Sequence, residues 1–179
     1  MLLAASCAAA TDTAASGAGS KSATAPAPAA KAKQSQGRVL SGKATVIDGD
    51  GLDIAGARIR LFGVDAPEVD QYCNRNDGTR WRCGHYATVA LDRLTAGKNV
   101  VCTSRQKDRY GRNVASCTVE GRDVAAELAR EGWVLAYRRY SMDYVDEEDA
   151  AKKQRAGVWA GELEAPWLWR HRAHAAGDR

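Results

Sequence analysis

Apolar and polar residues alternate along Ala57–Val64, where Ile59 and Leu61 share one face and Arg58 and Arg60 the other, and Val39–Ile47 ahead of it is a candidate strand. The two-residue period predicts a half-buried strand. Between them, Leu52-Asp53-Ile54 alternates over a shorter run. The turn signals Asp48-Gly49-Asp50-Gly51 and Ala55-Gly56 separate the three runs, which predicts a meander ending at Asp65-Ala66-Pro67-Glu68. Residues 69–82 are polar, with Gly and Asn, and predict a loop. The period then changes. Ala87, Ala90, Leu91 and Leu94 fall on one helical face within Gly84–Thr95, and Gly97 stops the helix. Asn99–Ser104 and Asn113–Val119 predict a hairpin around the basic turn Arg105–Arg112. Val124–Glu131 predicts a helix ended by Gly132, Trp133–Ala136 an extended piece, and Val145–Arg155 a third, charged helix closed by Gly157. The order β-β-β-α-β-β-α-α predicts an α+β domain, a five-stranded OB-type β-barrel with three packed helices.

The first 38 of the 179 residues break the pattern. They are rich in Ala, Ser and Thr, hold almost no large apolar side chain after Leu3, and cannot bury enough surface to offset their ordering entropy. The folded domain is expected over 39–170, with 171–179 an unstructured tail. Leu2-Leu3-Ala4-Ala5-Ser6-Cys7 is similar to the end of a lipoprotein signal peptide, although no basic segment and no full apolar run precede it. Lipidation of Cys7 and membrane anchoring through it are therefore expectations. The net charge of +4 sits mostly in this segment: Lys21, Lys31, Lys33 and Arg38 against Asp12 leave +3 there and +1 for the rest. Bulk charge makes no case for a polyanion partner, so such a case rests on individual arginines.

Cys73, Cys83, Cys102 and Cys117 fall in the domain, an even number that suggests two disulfides and an oxidising compartment. Their spacing does not match the close pairs of a structural zinc site. With the hairpin turn centred between Arg109 and Tyr110, Cys102 faces Cys117, at bridging distance. That leaves Cys73–Cys83 as a local loop staple.

Asp50 lies in a glycine-flanked turn, while Asp65 and Glu68 end the third strand of the same meander. Neighbouring strands bring such turns to one rim of a barrel. Carboxylates with few cations around them suit a hard, oxygen-liking ion such as calcium or magnesium. Pro67 holds Ala66 extended, which fixes the direction of its carbonyl. Arg60 lies on the polar face of the third strand and Arg112 closes the turn Asp108-Arg109-Tyr110-Gly111-Arg112. Guanidinium forks match phosphate oxygens, so two arginines, a divalent ion and a carboxylate base make a phosphodiester-cleaving set.

Three ordered segments, Val46-Ile47-Asp48-Gly49-Asp50, Ile59 to Glu68 and Asp108 to Arg112, together with Gly132-Trp133, Ala136-Tyr137 and Gly157-Val158-Trp159, resemble the staphylococcal nuclease family over about residues 39–160. The resemblance implies a calcium-dependent hydrolase of DNA and RNA that leaves 3′-phosphate ends. It implies that Asp50, Asp65 and the Ala66 carbonyl hold Ca²⁺, that Glu68 is the general base, that Arg60 and Arg112 bind phosphate, and that Tyr110 and Tyr137 lie beside the nucleotide. The chain departs from the family at Gly51 and Ala66, where many relatives carry threonine, and in the Cys-containing insertion Tyr72–Cys83. Glycine and alanine offer no hydroxyl to ion-bound water.

Trp133 and Trp159 are expected in the core, Trp167 and Trp169 packed on the barrel, Asp146–Asp149 in the first turn of the third helix, and His171 and His174 in the tail. Two other functions compete: a non-catalytic OB-type module that binds nucleic acid or protein, and a structural lipoprotein. The intact carboxylate–arginine set favours the enzyme. A monomer acting on single-stranded DNA and RNA outside the cytoplasm, secreted, periplasmic or anchored, is the expected setting.

Overall fold

The computed structural model describes residues 37–177, so the leader and Cys7 lie outside the described residues. The meander forms as three antiparallel strands, β1 (Val39–Asp48), β2 (Gly51–Ile54) and β3 (Ala57–Leu61). The expected third strand ran to Val64 but breaks at Gly63, which takes a left-handed φ of 76°. A β-carbon there would stand 2.9 Å from the Tyr144 ring. After that turn the short β4 (Val64–Asp65) leaves the barrel ladder and pairs in a separate two-stranded sheet.

The loop 69–82 contains a small hairpin, β5 (Cys73–Arg75) and β6 (Arg80–Trp81), which leads into the helix α1 (Cys83–Thr95). The second long hairpin is β7 (Asn99–Lys107) and β8 (Asn113–Val119), with β9 (Arg122–Asp123) beside it. β7 pairs with β1, and β8 pairs in parallel with β3 through Ile59↔Asn113, Arg60↔Val114 and Leu61↔Ala115. That last pairing closes β1, β2, β3, β7 and β8 into a barrel. The helices α2 (Val124–Arg130) and α3 (Val145–Gln154) flank β10 (Leu135–Ala136), which pairs with β4. β11 (Gly161–Glu162) joins β5 and β6. A fourth helix, α4 (Pro166–Gly177), runs through the expected tail and starts with proline at its first position, where no N–H is needed.

Cys102 pairs with Cys117 in the β7–β8 ladder and the two are bridged, as are Cys73 and Cys83. Next to the turn the register is Lys107↔Asn113, which centres the turn on Tyr110, half a residue from the expected place. A bulge at Arg105 restores the register that brings the cysteines together.

Two apolar clusters result. The barrel core holds Leu52, Ile59, Leu61, Leu91, Val100 and Leu128, all at most 1% exposed. The second gathers Cys73, Cys83, Leu135 and Val158 under Trp81, Trp133, Trp159 and Trp167. It welds the disulfide hairpin and the start of α4 to one end of the barrel.

Candidate active site

The turn between β1 and β2, the β3–β4 turn and the segment after β4 converge at one barrel rim. Gly49 permits this approach, since a β-carbon there would lie 2.7 Å from the Ala66 β-carbon and 2.9 Å from that of Ala87. Asp50 and Asp65 are buried, at 3% and 0% exposure. Asp50 Oδ2 accepts the Ala66 N–H at 2.8 Å. Arg60 bonds Asp50 through Nη1 and Asp65 through Nη2. Burial works against the Arg60 charge, but Asp50 and Asp65 outweigh it and raise its pKa. Burial also raises the pKa of Asp65, against the hydrogen bond from Arg170.

Asp48, which reads as a simple turn cap in the sequence, belongs to this acidic group. Burial and the neighbouring Asp50 push its pKa up to about 6. Its Oδ1 accepts the Asp50 N–H at 3.1 Å. The departure at Gly51 has a local reason: a β-carbon there would stand 2.5 Å from Asp48 Oδ1. The glycine leaves the Asp48 carboxylate room to fold back over the turn.

Glu68 is held from both sides. Its N–H donates to Gln71 Oε1 at 3.2 Å and its carbonyl accepts the Gln71 N–H at 2.7 Å. The α1 N-terminus presses on the same carbonyl, and a β-carbon at Gly84 would fall 1.6 Å from it. Gln71, fully buried, donates from Nε2 to the Glu164 carbonyl at 2.7 Å, just ahead of α4. From α4, Arg170 Nη1 reaches Glu68 Oε1 at 2.6 Å and Asp65 Oδ1 at 3.2 Å, while Nη2 reaches Asp65 Oδ2 at 2.8 Å. Asp50, Arg60, Asp65, Ala66 and Glu68 thus meet in one group, interleaved with guanidinium. Among the described residues, no three His, Cys, Asp or Glu side chains are gathered into a ready metal-ligand cluster.

Arg112 and Tyr110 are not bonded to this group. Asp108 organises their turn, accepting the N–H groups of Tyr110 and Arg112 at 2.9 Å through Oδ1 and Arg112 Nε at 2.7 Å through Oδ2. Neither Arg112 Nη group makes a hydrogen bond or ion pair among the described residues, and the guanidinium lies over the Tyr110 ring, 5.6 Å from its centre. Arg112 lies two residues before Val114, the ladder neighbour of Arg60, so its turn leads directly into the strand beside Arg60. Tyr110 is 68% exposed beneath the guanidinium of Arg109. Tyr137 donates its N–H to the Gly63 carbonyl and stacks on Trp167.

Arg170, Gln71 and Asp48 escape the sequence reading. Trp167 and Arg170 lie three residues apart behind a helix-starting proline, which is the one signal the sequence offers for them.

A family model described as "Staphylococcal nuclease homologue" matches residues 58–161. The chain belongs to this family. An uncharacterized endonuclease of Escherichia coli O157:H7 is 35% identical over 135 residues, 71% of this chain and 82% of that protein. The micrococcal nuclease of Shigella flexneri is 30% identical over 143 residues, 70% and 76% of the two chains. The succinoglycan biosynthesis protein ExoI of Rhizobium meliloti (strain 1021) is 38% identical over 126 residues, 69% of this chain and 66% of that protein. The chain is a nuclease, a hydrolase whose substrate is nucleic acid. Arg170 lies beyond the segment that the family model matches.

Proposed function

We propose that this nuclease is calcium-dependent, cuts within single strands of DNA and RNA, and leaves 3′-phosphate ends. The observation that carries the proposal is the acidic rim: Asp48, Asp50, Asp65 and Glu68 outnumber Arg60 and Arg170 by two, and Asp48 holds its proton up to about pH 6. A surplus of two carboxylates, all hard oxygen donors, fits a divalent cation such as calcium. Asp50, Asp65 and the Ala66 carbonyl are the residues that would hold it. Bound there, it would offset charge building on the phosphate.

The side chains divide the remaining work. Glu68 takes the proton from a water whose oxygen bonds to phosphorus as the bond to the 5′-oxygen breaks. Arg60 donates to a phosphate oxygen from the same rim. Arg112 is anchored by Nε and offers its two Nη groups to a second oxygen. Tyr110, exposed on the neighbouring turn, suits a nucleotide contact, as does Tyr137, whose ring stacks on Trp167. Two disulfides suit an oxidising compartment, which supports a setting outside the cytoplasm. No described helix is long and apolar enough to cross a membrane.

The test is hydrolysis of denatured DNA with calcium, with a chelator, and by Glu68→Gln and Arg112→Ala. Calcium-dependent cleavage lost in both variants is the expected result. Cleavage unchanged in chelator would remove the cation from the account.

A further inference from the structure

The nuclease chemistry needs Asp65 and Glu68, and both are held by a residue from outside the barrel. Arg170 grips both Asp65 oxygens and, with the same Nη1, Glu68 Oε1. Three features aim it there. Pro166 starts α4, the Glu164 carbonyl just before it is bound by Gln71, and Trp167, one turn ahead of Arg170 on the same helix face, stacks on Tyr137. A bridge that served only to dock a helix would need any surface acid. This one selects the fully buried Asp65 and the half-buried Glu68. Glu68 is also tied to the same segment through its backbone, by way of Gln71.

We propose that Arg170 is a positioning residue of the active site: its guanidinium sets the Glu68 carboxylate against Asp65 and makes α4 a working wall of the nuclease. The inference rests on Glu68 being the base. A carboxylate on a loop has rotamer freedom, and a displacement of about 1 Å costs on the order of 100-fold in rate. The planar fork holds both Asp65 oxygens and Glu68 from two nitrogens in fixed directions, a geometry that the single nitrogen of a lysine ammonium does not reproduce.

The experiment is steady-state cleavage of a single-stranded oligonucleotide by the full chain and by Arg170→Ala, Arg170→Lys, Glu68→Gln and the Glu68→Gln/Arg170→Ala double variant. Calcium binding is measured by calorimetry, and folding is checked by circular dichroism. Arg170→Ala is expected to lower kcat about 10- to 100-fold with KM moved by less than about 3-fold. Arg170→Lys, which keeps the charge and most of the stem, recovers little of the loss. In the Glu68→Gln background the same Arg170→Ala change has almost no further effect, because the residue it positions is already disabled. Calcium still binds to Arg170→Ala. An equal loss in both backgrounds, or a kcat within about twofold of the parent, would overturn the proposal. So would a raised kcat, which would make Arg170 a brake. A Glu68→Gln variant as active as the parent would instead sink the reading of Glu68 as base, whatever Arg170 does.

Discussion

The Trp167 indole lies parallel to the Tyr137 ring, with centroids 5.4 Å apart and planes 5° from parallel. Tyr140 meets Tyr137 edge-on, at 4.9 Å. One face of Tyr137 is therefore covered, and the aromatic unit next to the acidic rim is the Tyr137–Trp167 pair. Trp167→Ala removes this stack and part of the second apolar cluster. It should lower stability by about 1–3 kcal/mol in urea unfolding and reduce cleavage, because α4 loosens and carries Arg170 away. Trp167→Phe keeps a ring to stack and should stay near the parent in both. A Trp167→Ala variant as stable as the parent would show that α4 docks by other means.

The proposed reaction and the fold give Arg60 two separate jobs, with different signatures. As a phosphate donor it acts only on the reaction, and its loss should cost about 100- to 1000-fold in kcat. As the counter-charge to Asp50 and Asp65 it acts on the fold. Arg60→Ala leaves two buried carboxylates short of a cation, which costs on the order of 3 kcal/mol in chelator. Calcium should then stabilise Arg60→Ala more than it stabilises the parent, since the ion takes over the missing charge. Thermal unfolding with and without calcium reads this difference. Equal calcium-induced shifts in the two proteins would count against Asp50 and Asp65 as ligands.

The barrel was legible because strand and turn signals are local: Ala57–Leu61 alternates cleanly, and Gly- and Asp-rich turns bound the short runs of the meander. Asp50, Arg60, Asp65, Ala66 and Glu68 were legible as a group because the meander forces its two turns to one rim. The Cys102–Cys117 pair was legible too, although the register near the turn differs by half a residue and the Arg105 bulge absorbs the difference. What the sequence hid is held by tertiary contacts alone. α4 has no apolar stripe and is fixed by Trp167 and Arg170 on partners far back in the chain. Gln71 reads as one more polar loop residue, yet its amide is fully buried between Glu68 and Glu164. The break at Gly63 shows only once Tyr144 occupies the space beside it.

The two disulfides should separate stability from activity. They span 10 and 15 residues, so loop-closure entropy assigns them similar worth, about 3 kcal/mol each. Their surroundings differ. Cys102–Cys117 lies inside the barrel core, whereas Cys83 opens α1, whose next residue, Gly84, packs on the Glu68 carbonyl. Replacing Cys73 and Cys83 by alanine should therefore reduce kcat more than replacing Cys102 and Cys117, at comparable cost in unfolding free energy. Equal kcat in the two double variants would mean that Gln71 alone suffices to hold Glu68.

Asp108 gives the basic turn its own pH dependence. Burial opposes the Asp108 charge, but the hydrogen bonds from Arg112 and from the turn backbone outweigh it and hold the carboxyl below its ordinary range. A depressed folded-state pKa means that the ionised form is bound more tightly in the folded chain. The stabilisation is complete above the unfolded value of about 4 and is lost as pH falls through the depressed folded-state pKa. Asp108→Asn keeps an oxygen for the two N–H groups but loses the charge that anchors Arg112 Nε. It should be less stable than the parent at pH 7 by on the order of 1 kcal/mol, with the gap closing as pH drops below about 4. Its KM for single-stranded DNA should rise, because the Arg112 guanidinium is no longer held from one side with its Nη groups outward. Paired urea titrations at pH 7 and pH 3 read the first effect, and initial rates across substrate concentrations read the second. A stability gap that stays constant with pH would show that the turn is held by its backbone bonds and not by the Asp108–Arg112 charge pair.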